Sequence, residues 1–265
     1  MRGPTPFDDL NAVLDEFLAG VRSALGDNFC GLYLQGSFAV GDADVHSDVD
    51  FICVTNEEVG DAQLQALQIV HGRLFALDVP WAQHLEGSYV PRTSLRRIDP
   101  ERRPYPYLDN GADELIQDSH CNTAVVRWSL REHGVRLAGP DPKTLVDPVS
   151  ADELRGEVLA AMDEFADWAP IPTKGGRMSQ WKQIYLVTSF CRMLHTLHSG
   201  RVSSKRAGCE WALGALPPAW TDLVRRALDD RPDPWRRVYE PADDEAIDRT
   251  LAFVDWAAKT HPSKR

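Results

Sequence analysis

The seven residues Val49-Asp50-Phe51-Ile52-Cys53-Val54-Thr55 constrain this chain more than any other segment. The run is short and almost wholly apolar, the composition of a strand covered on both faces rather than one that alternates between core and water. Such a strand requires a sheet with further layers packed against it, and the flanking sequence supplies them. Phe7, Leu10, Leu14, Phe17, Leu18, Val21 and Leu25 recur three and four apart, which predicts a helix ended by Gly26-Asp27-Asn28. Cys30 to Leu34 reads as a short buried strand. Asp61 to Phe75 reads as a second helix with Leu64, Leu67, Val70 and Leu74 on its inner stripe, and Trp81 to Val90 as a third strand.

Arg92 to Asp109 has no clear period and carries Arg96-Arg97, Arg102-Arg103, three prolines and two tyrosines, so a long loop or flap beside a site is expected there. Cys121 to His133 reads as helical. Gly139-Pro140-Asp141-Pro142 and Asp147-Pro148 then punctuate the chain, and Ser150 with Glu153 makes a capping-box start for the next helix. A domain boundary falls at that point. Beyond it the pattern is helical, with Leu154, Val158, Met162 and Phe165 on one stripe and Trp181, Tyr185, Thr188 and Leu194 on another that ends near Gly200. The expected architecture is α+β: residues 1–150 hold a small mixed sheet flanked by helices, and residues 151–265 an all-α bundle.

Composition narrows the partners. Of 265 residues, 40 are acidic and 29 basic, a formal net charge of −11 that argues against binding duplex nucleic acid. It leaves room for ATP, whose phosphates a metal and a few local cations can meet, and it suits a cationic substrate as well as simple solubility. No apolar run long enough to cross a membrane occurs, and no secretory signal follows Met1. Five scattered cysteines without a CxxC fit reduced thiols in the cytoplasm.

Chemistry concentrates between Tyr33 and Phe51. Gly36-Ser37 follows the first strand, and ten residues later Asp48-Val49-Asp50 enters the second. Side chains alternate along a strand, so Asp48 and Asp50 share a face about 7 Å apart. Two carboxylates so placed can share divalent cations, and without a cation their proximity is costly. Gly36 lets the backbone approach a ligand, and Ser37 offers a hydroxyl and an amide to phosphate oxygens. A solvated strand end and an ordinary turn would account for either half alone; order and spacing together favour a site.

These residues resemble the signature of the polymerase-β-like nucleotidyltransferase superfamily, and more closely the aminoglycoside nucleotidyltransferases of the streptomycin/spectinomycin adenylyltransferase type. Leu85-Glu86-Gly87-Ser88-Tyr89-Val90 resembles the strand bearing that family's third carboxylate. Arg131 to Pro140 resembles the segment leading out of its catalytic domain. Gly200-Arg201-Val202-Ser203-Ser204-Lys205, with Glu210-Trp211-Ala212 and Leu216-Pro217, resembles its helical domain's lysine-bearing turn and the helix after it.

The resemblance implies transfer of AMP from ATP to a hydroxyl of an aminoglycoside-type antibiotic. Asp48, Asp50 and Glu86 would be the catalytic and metal-binding residues. The aspartates would hold Mg2+, with two ions expected, and Glu86 would act as general base while touching a metal. Gly36, Ser37, Arg192 and Lys205 would bind the nucleotide, the last two from the helical half, and Ser47 would contact its phosphates or orient Asp48. Asp163, Asp167, Trp168 and Trp181 offer acidic and aromatic chemistry for a cationic acceptor, whereas Thr173-Lys174-Gly175-Gly176-Arg177 departs from the family and leaves streptomycin itself open. A cytoplasmic monomer is expected. Two other readings stand beside this one. The first is a nucleotidyltransferase acting on a protein or an RNA end, for which the Arg192-x5-His198 spacing is a short match. The second is a non-catalytic nucleotide-binding module, against which the three carboxylates weigh.

Overall fold

The computed structural model describes residues 3–45, 47–174, 176–231 and 239–261. His46 of the signature stretch and Gly175 of the basic turn lie outside the described residues. The chain forms two compact units, Met1–Val149 and Ser150–Arg265.

The first unit opens with helix α1 (Asp8–Leu25), then strand β1 (Phe29–Leu34), the short helix α2 (Gly36–Val40), β2 (Val49–Thr55), α3 (Asp61–Phe75) and β3 (Leu85–Pro91). It continues with α4 (Arg92–Leu95), β4 (Tyr105–Leu108), β5 (Leu115–Asp118), α5 (Ala124–His133), β6 (Val135–Ala138) and α6 (Pro142–Leu145). The six strands make one mixed sheet in the order β5-β4-β3-β2-β1-β6. β2 and β3 run parallel, joined through α3, and the other neighbours pair antiparallel.

The apolar run of β2 is central, as its composition requires. Phe51 and Cys53 join Leu10, Phe17, Val21, Leu67 and Leu74 of α1 and α3 in the core on one face of the sheet. Ile52 and Val54 join Tyr33, Val90, Tyr107 and Leu130 in the core on the other. All four of these β2 side chains are fully buried. Asp50, two residues before Ile52, therefore lies on the β4 and α5 face of the sheet.

Two segments differ from what periodicity predicts. Pro80–Gln83 forms a 3-10 turn rather than the start of a strand, and β3 begins at Leu85. Arg92 to Asp109 is not a structureless flap. It folds into α4 and the edge-side strand β4, which pairs with β3 through Gly87–Leu108 and Ser88–Tyr107. Tyr105 and Tyr107 are buried, so their aromatic area offsets the cost of ordering this proline-bearing segment. Arg127 of α5 ties it down. This guanidinium, 1% exposed, donates to the carbonyls of Leu95, Ser94 and Thr123 and to Asn122 Oδ1.

The second unit contains α7 (Ala151–Trp168), α8 (Gln180–Ser199), α9 (Lys205–Ala215), α10 (Thr221–Asp229) and α11 (Asp244–Thr260). Ser150 caps α7: its Oγ accepts from Glu153 N at 3.2 Å while Glu153 Oε2 accepts from Ser150 N at 2.7 Å. α8 is the central helix and packs on the other four. Gly200, with φ of 68°, ends it in a left-handed conformation that suits glycine. No helix among the described residues is long and apolar enough to cross a membrane.

His71 of α3 gives the first unit a pH-dependent stability. Its Nε2 lies 2.7 Å from Tyr89 Oη, among Phe17 and Phe51, and burial lowers its pKa to about 4. The unfolded chain takes up a proton near pH 6.5, the folded chain only near pH 4, so stability falls as pH drops across that window. The expected loss is about 3 kcal/mol. Urea midpoints at pH 7 and pH 4 should converge for His71→Gln relative to the parent protein; equal acid losses in both would exclude this origin.

Candidate active site

The backbone of the site follows from strand pairing. In the β2–β3 register Asp50 stands beside Glu86, and parallel neighbours in register project to the same face. Asp48 lies two residues before Asp50, just ahead of β2, where Val49 N donates to His84 O at 2.8 Å. Gln35 N donates to Asp50 O at 2.9 Å, which brings the turn after β1 against the carboxylates. Gly36 begins α2 with φ of 58°. A Cβ there would collide with the Asp50 carboxylate, so the absence of a side chain is a condition for Asp50 to occupy its place. Ser37 follows, its Oγ buried and without a hydrogen-bond partner. A buried hydroxyl in that state fits an anionic ligand oxygen.

Ser47 serves the loop. Its Oγ accepts from Asp44 N at 3.0 Å and its own N donates to Asp44 O at 3.0 Å, which closes a turn immediately before Asp48. That arrangement orients the aspartate-bearing segment.

Glu86 is held from β4 and from the turn after β5. The Tyr107 phenol is shared between Glu86 Oε1 at 2.8 Å and Asp109 Oδ1 at 3.1 Å. His120 Nε2 reaches the same Glu86 Oε1 at 3.2 Å, and its ring lies against that of Tyr107. Burial, then the Glu86 charge, raises the Tyr107 pKa, so the phenol keeps its proton as a donor. The hydrogen bond to Glu86 raises the His120 pKa, helped by the charges of Glu86, Asp118 and Asp50 and opposed by desolvation. Neither Tyr107 nor His120 stands out in the sequence. Tyr107 alternates within a run that prolines disguise, and His120 sits in a turn with no motif around it.

The donor set is hard oxygen throughout. Among the described residues no group of three or more His, Cys, Asp or Glu side chains that could hold a metal ion is found. The carboxylate oxygens of Asp48, Asp50 and Glu86 are of the hard donor type that Mg2+ takes, usually one or two carboxylates together with phosphate and water oxygens.

Three of the four arginines in the middle segment's pairs are engaged with carboxylates. Arg96 and Arg97 bind Asp147 at 2.9 and 2.8 Å, and Arg103 binds Asp99 at 3.0 Å.

In the helical unit three of the residues expected to bind nucleotide or acceptor, Lys205, Trp181 and Trp168, cluster about Tyr185. Lys205, first residue of α9, places Nζ 4.3 Å above the Tyr185 ring, and Trp181 stacks on that ring at 5.0 Å. Trp168 lies 6.1 Å from Tyr185 and 6.4 Å from Trp181. Arg192 is two helical turns beyond Tyr185 on α8, where Gly208 of α9 packs against its backbone. One face of Trp168 receives Lys182, whose buried Nζ sits 4.1 Å from the ring centre and donates to the carbonyls of Trp168 and Ile171. Asp163 and Asp167 lie on the last turns of α7, Asp167 exposed. Tyr185, at the centre of this cluster, reads from the sequence only as part of a core stripe.

Comparison with known proteins matches each unit separately. The family model described as "Nucleotidyltransferase domain" matches residues 18–105, and that described as "Aminoglycoside adenylyltransferase, C-terminal domain" matches residues 144–253. The chain belongs to the aminoglycoside nucleotidyltransferases. It is accordingly an enzyme of the nucleotidyltransferase class. A spectinomycin 9-adenylyltransferase of Staphylococcus aureus is 23% identical over 236 residues, covering 83% of this chain and 85% of that protein. An aminoglycoside (3'') (9) adenylyltransferase of Shigella flexneri is 20% identical, covering 83% and 84%. The crystal structure of spectinomycin adenyltransferase AAD(9) from Enterococcus faecialis with ATP and spectinomycin shares the fold. It superposes with a TM-score of 0.70 at 14% identity, covering 94% of this chain and 98% of that one.

Gly36 offers a direct test of the site's steric logic. Gly36→Ala should cost about 1–2 kcal/mol of stability from the left-handed backbone, yet lower nucleotidyl transfer by at least about a hundredfold. A variant that turns over normally would show that Asp50 can move aside without consequence.

Proposed function

We propose that this enzyme transfers AMP from ATP to a hydroxyl of an aminoglycoside-type antibiotic and so confers resistance, acting as a cytoplasmic monomer. The observation that carries the reading is the register of Asp50 with Glu86 beside the Gly36-Ser37 turn. The names of the relatives add support for adenylyl transfer to a drug, and spectinomycin recurs among them. The described cysteines are free thiols, four of the five buried, which suits a reducing compartment.

In this mechanism Asp48, Asp50 and Glu86 would hold Mg2+, with Glu86 also serving as the base. When bound, Mg2+ neutralises triphosphate charge and stabilises the in-line displacement. Ser37 and the Gly36 backbone contact phosphate, and Ser47 orients Asp48. Glu86 takes the proton from the acceptor hydroxyl as that oxygen bonds to the α-phosphorus. The bond from the α-phosphorus to the bridging oxygen breaks, and its electron pair leaves with pyrophosphate. Arg192 and Lys205 contact the triphosphate. Asp163 and Asp167 meet the acceptor's ammonium groups, with Trp168 and Trp181 as packing surface.

Incubation with ATP labelled at the α-phosphate, Mg2+ and a drug panel containing spectinomycin, streptomycin and lincosamides tests the reading. Label should pass to an aminoglycoside-type drug; label on protein or RNA and on no drug would replace the acceptor class. Asp48→Ala and Asp50→Ala should each abolish transfer with the thermal midpoint little changed. Glu86→Gln should retain ATP binding and lose about 10²–10⁴ in the chemical step. Loss of affinity alone would remove it from the role of base.

A further inference from the structure

We infer that Tyr107 and His120 are positioning residues for the reaction, fixing the Glu86 carboxylate by engaging its Oε1 from two sides. This rests on the reading of Glu86 as the base. Both contacts fall on Oε1, at 2.8 Å from the Tyr107 phenol and 3.2 Å from His120 Nε2. A carboxylate gripped at one oxygen from two directions loses rotation about its last torsion, and the donors draw charge toward Oε1. The two donors thereby fix the orientation in which Glu86 meets the acceptor hydroxyl.

The grip is itself braced. Tyr107 is buried in β4, and its second acceptor, Asp109, is anchored by the N–H of Asn110 at 3.0 Å. His120 is exposed, so packing does not hold it; its turn does. The His120 N–H donates to Asp118 Oδ1 at 2.7 Å, and Asn122 N donates to Ser119 O at 2.8 Å. Asn122, buried, donates from Nδ2 to Arg103 O at 3.0 Å and accepts at Oδ1 from Arg127 at 2.7 Å. A continuous set of hydrogen bonds thus runs from a buried guanidinium to the turn that carries the imidazole. A surface histidine with no role would not require a turn fixed at both ends. The ring contact of 5.2 Å between Tyr107 and His120 further limits both.

A cycle of variants in the full-length enzyme, assayed with ATP, Mg2+ and spectinomycin, separates positioning from mere structure. His120→Ala and Tyr107→Phe should each lower kcat by about 10- to 100-fold and leave both KM values within about twofold. His120→Gln, which restores a donor of similar reach, should recover most of the loss. In a Glu86→Gln background neither His120→Ala nor Tyr107→Phe should lower kcat further, because both act through Glu86. An equal loss in that background, or a raised KM with kcat unchanged, would overturn the role. An activity-independent readout is the His120 ring resonance in the NMR spectrum, which should move on Glu86→Gln; an unmoved resonance would show the contact absent and overturn the inference outright. If the resonance moves and the parent protein transfers nothing to any acceptor, the contact is real and the reaction reading falls, taking this role with it.

Discussion

Asp50 and Glu86 stand side by side in register on adjacent parallel strands, whose backbones run about 4.8 Å apart. Like charges so close are unfavourable unless positive charge or donors answer them. Much of the first unit can be read as that answer. Gly36 gives up its side chain so that Asp50 keeps its position, and Tyr107 and His120 converge on Glu86. The hydrophobic layers on both faces of β2 make the register rigid, because a slip of one residue would exchange Asp50 with Phe51 between the two faces of the sheet. The core therefore specifies the site's geometry even though no core residue performs chemistry.

Legibility in the sequence tracked how local the physics is. Val49–Thr55 and Asp61–Phe75 have the bounds their patterns predict, because a buried strand and an amphipathic helix each carry their own periodicity. The Ser150–Glu153 cap was equally readable, being a four-residue motif. Strands β4 and β5 were not. Their order comes from pairing with β3 and from burial of Tyr105 and Tyr107, and Pro106 hides the alternation that would have announced β4. The same non-locality explains the site. Gly36, Ser37, Asp48 and Asp50 form one continuous motif, whereas Tyr107 and His120 reach Glu86 only after a hairpin has folded back.

Three of the four arginines in the middle pairs answer local carboxylates: Arg96 and Arg97 share Asp147, and Arg103 takes Asp99. The arginine whose removal would be felt most in this region is Arg127, whose guanidinium is buried against backbone carbonyls.

Lys182 carries a consequence for how a cationic molecule can use the helical unit. Its ammonium is covalently tethered above Trp168 and bound to two carbonyls at the end of α7. A free ammonium seeking that ring face competes with a group whose effective concentration is on the order of millimolar or more, and which would forfeit two hydrogen bonds on leaving. Displacement is therefore uphill for any ligand that offers only charge. The ring face beneath Lys182 is thereby closed to a cation from outside.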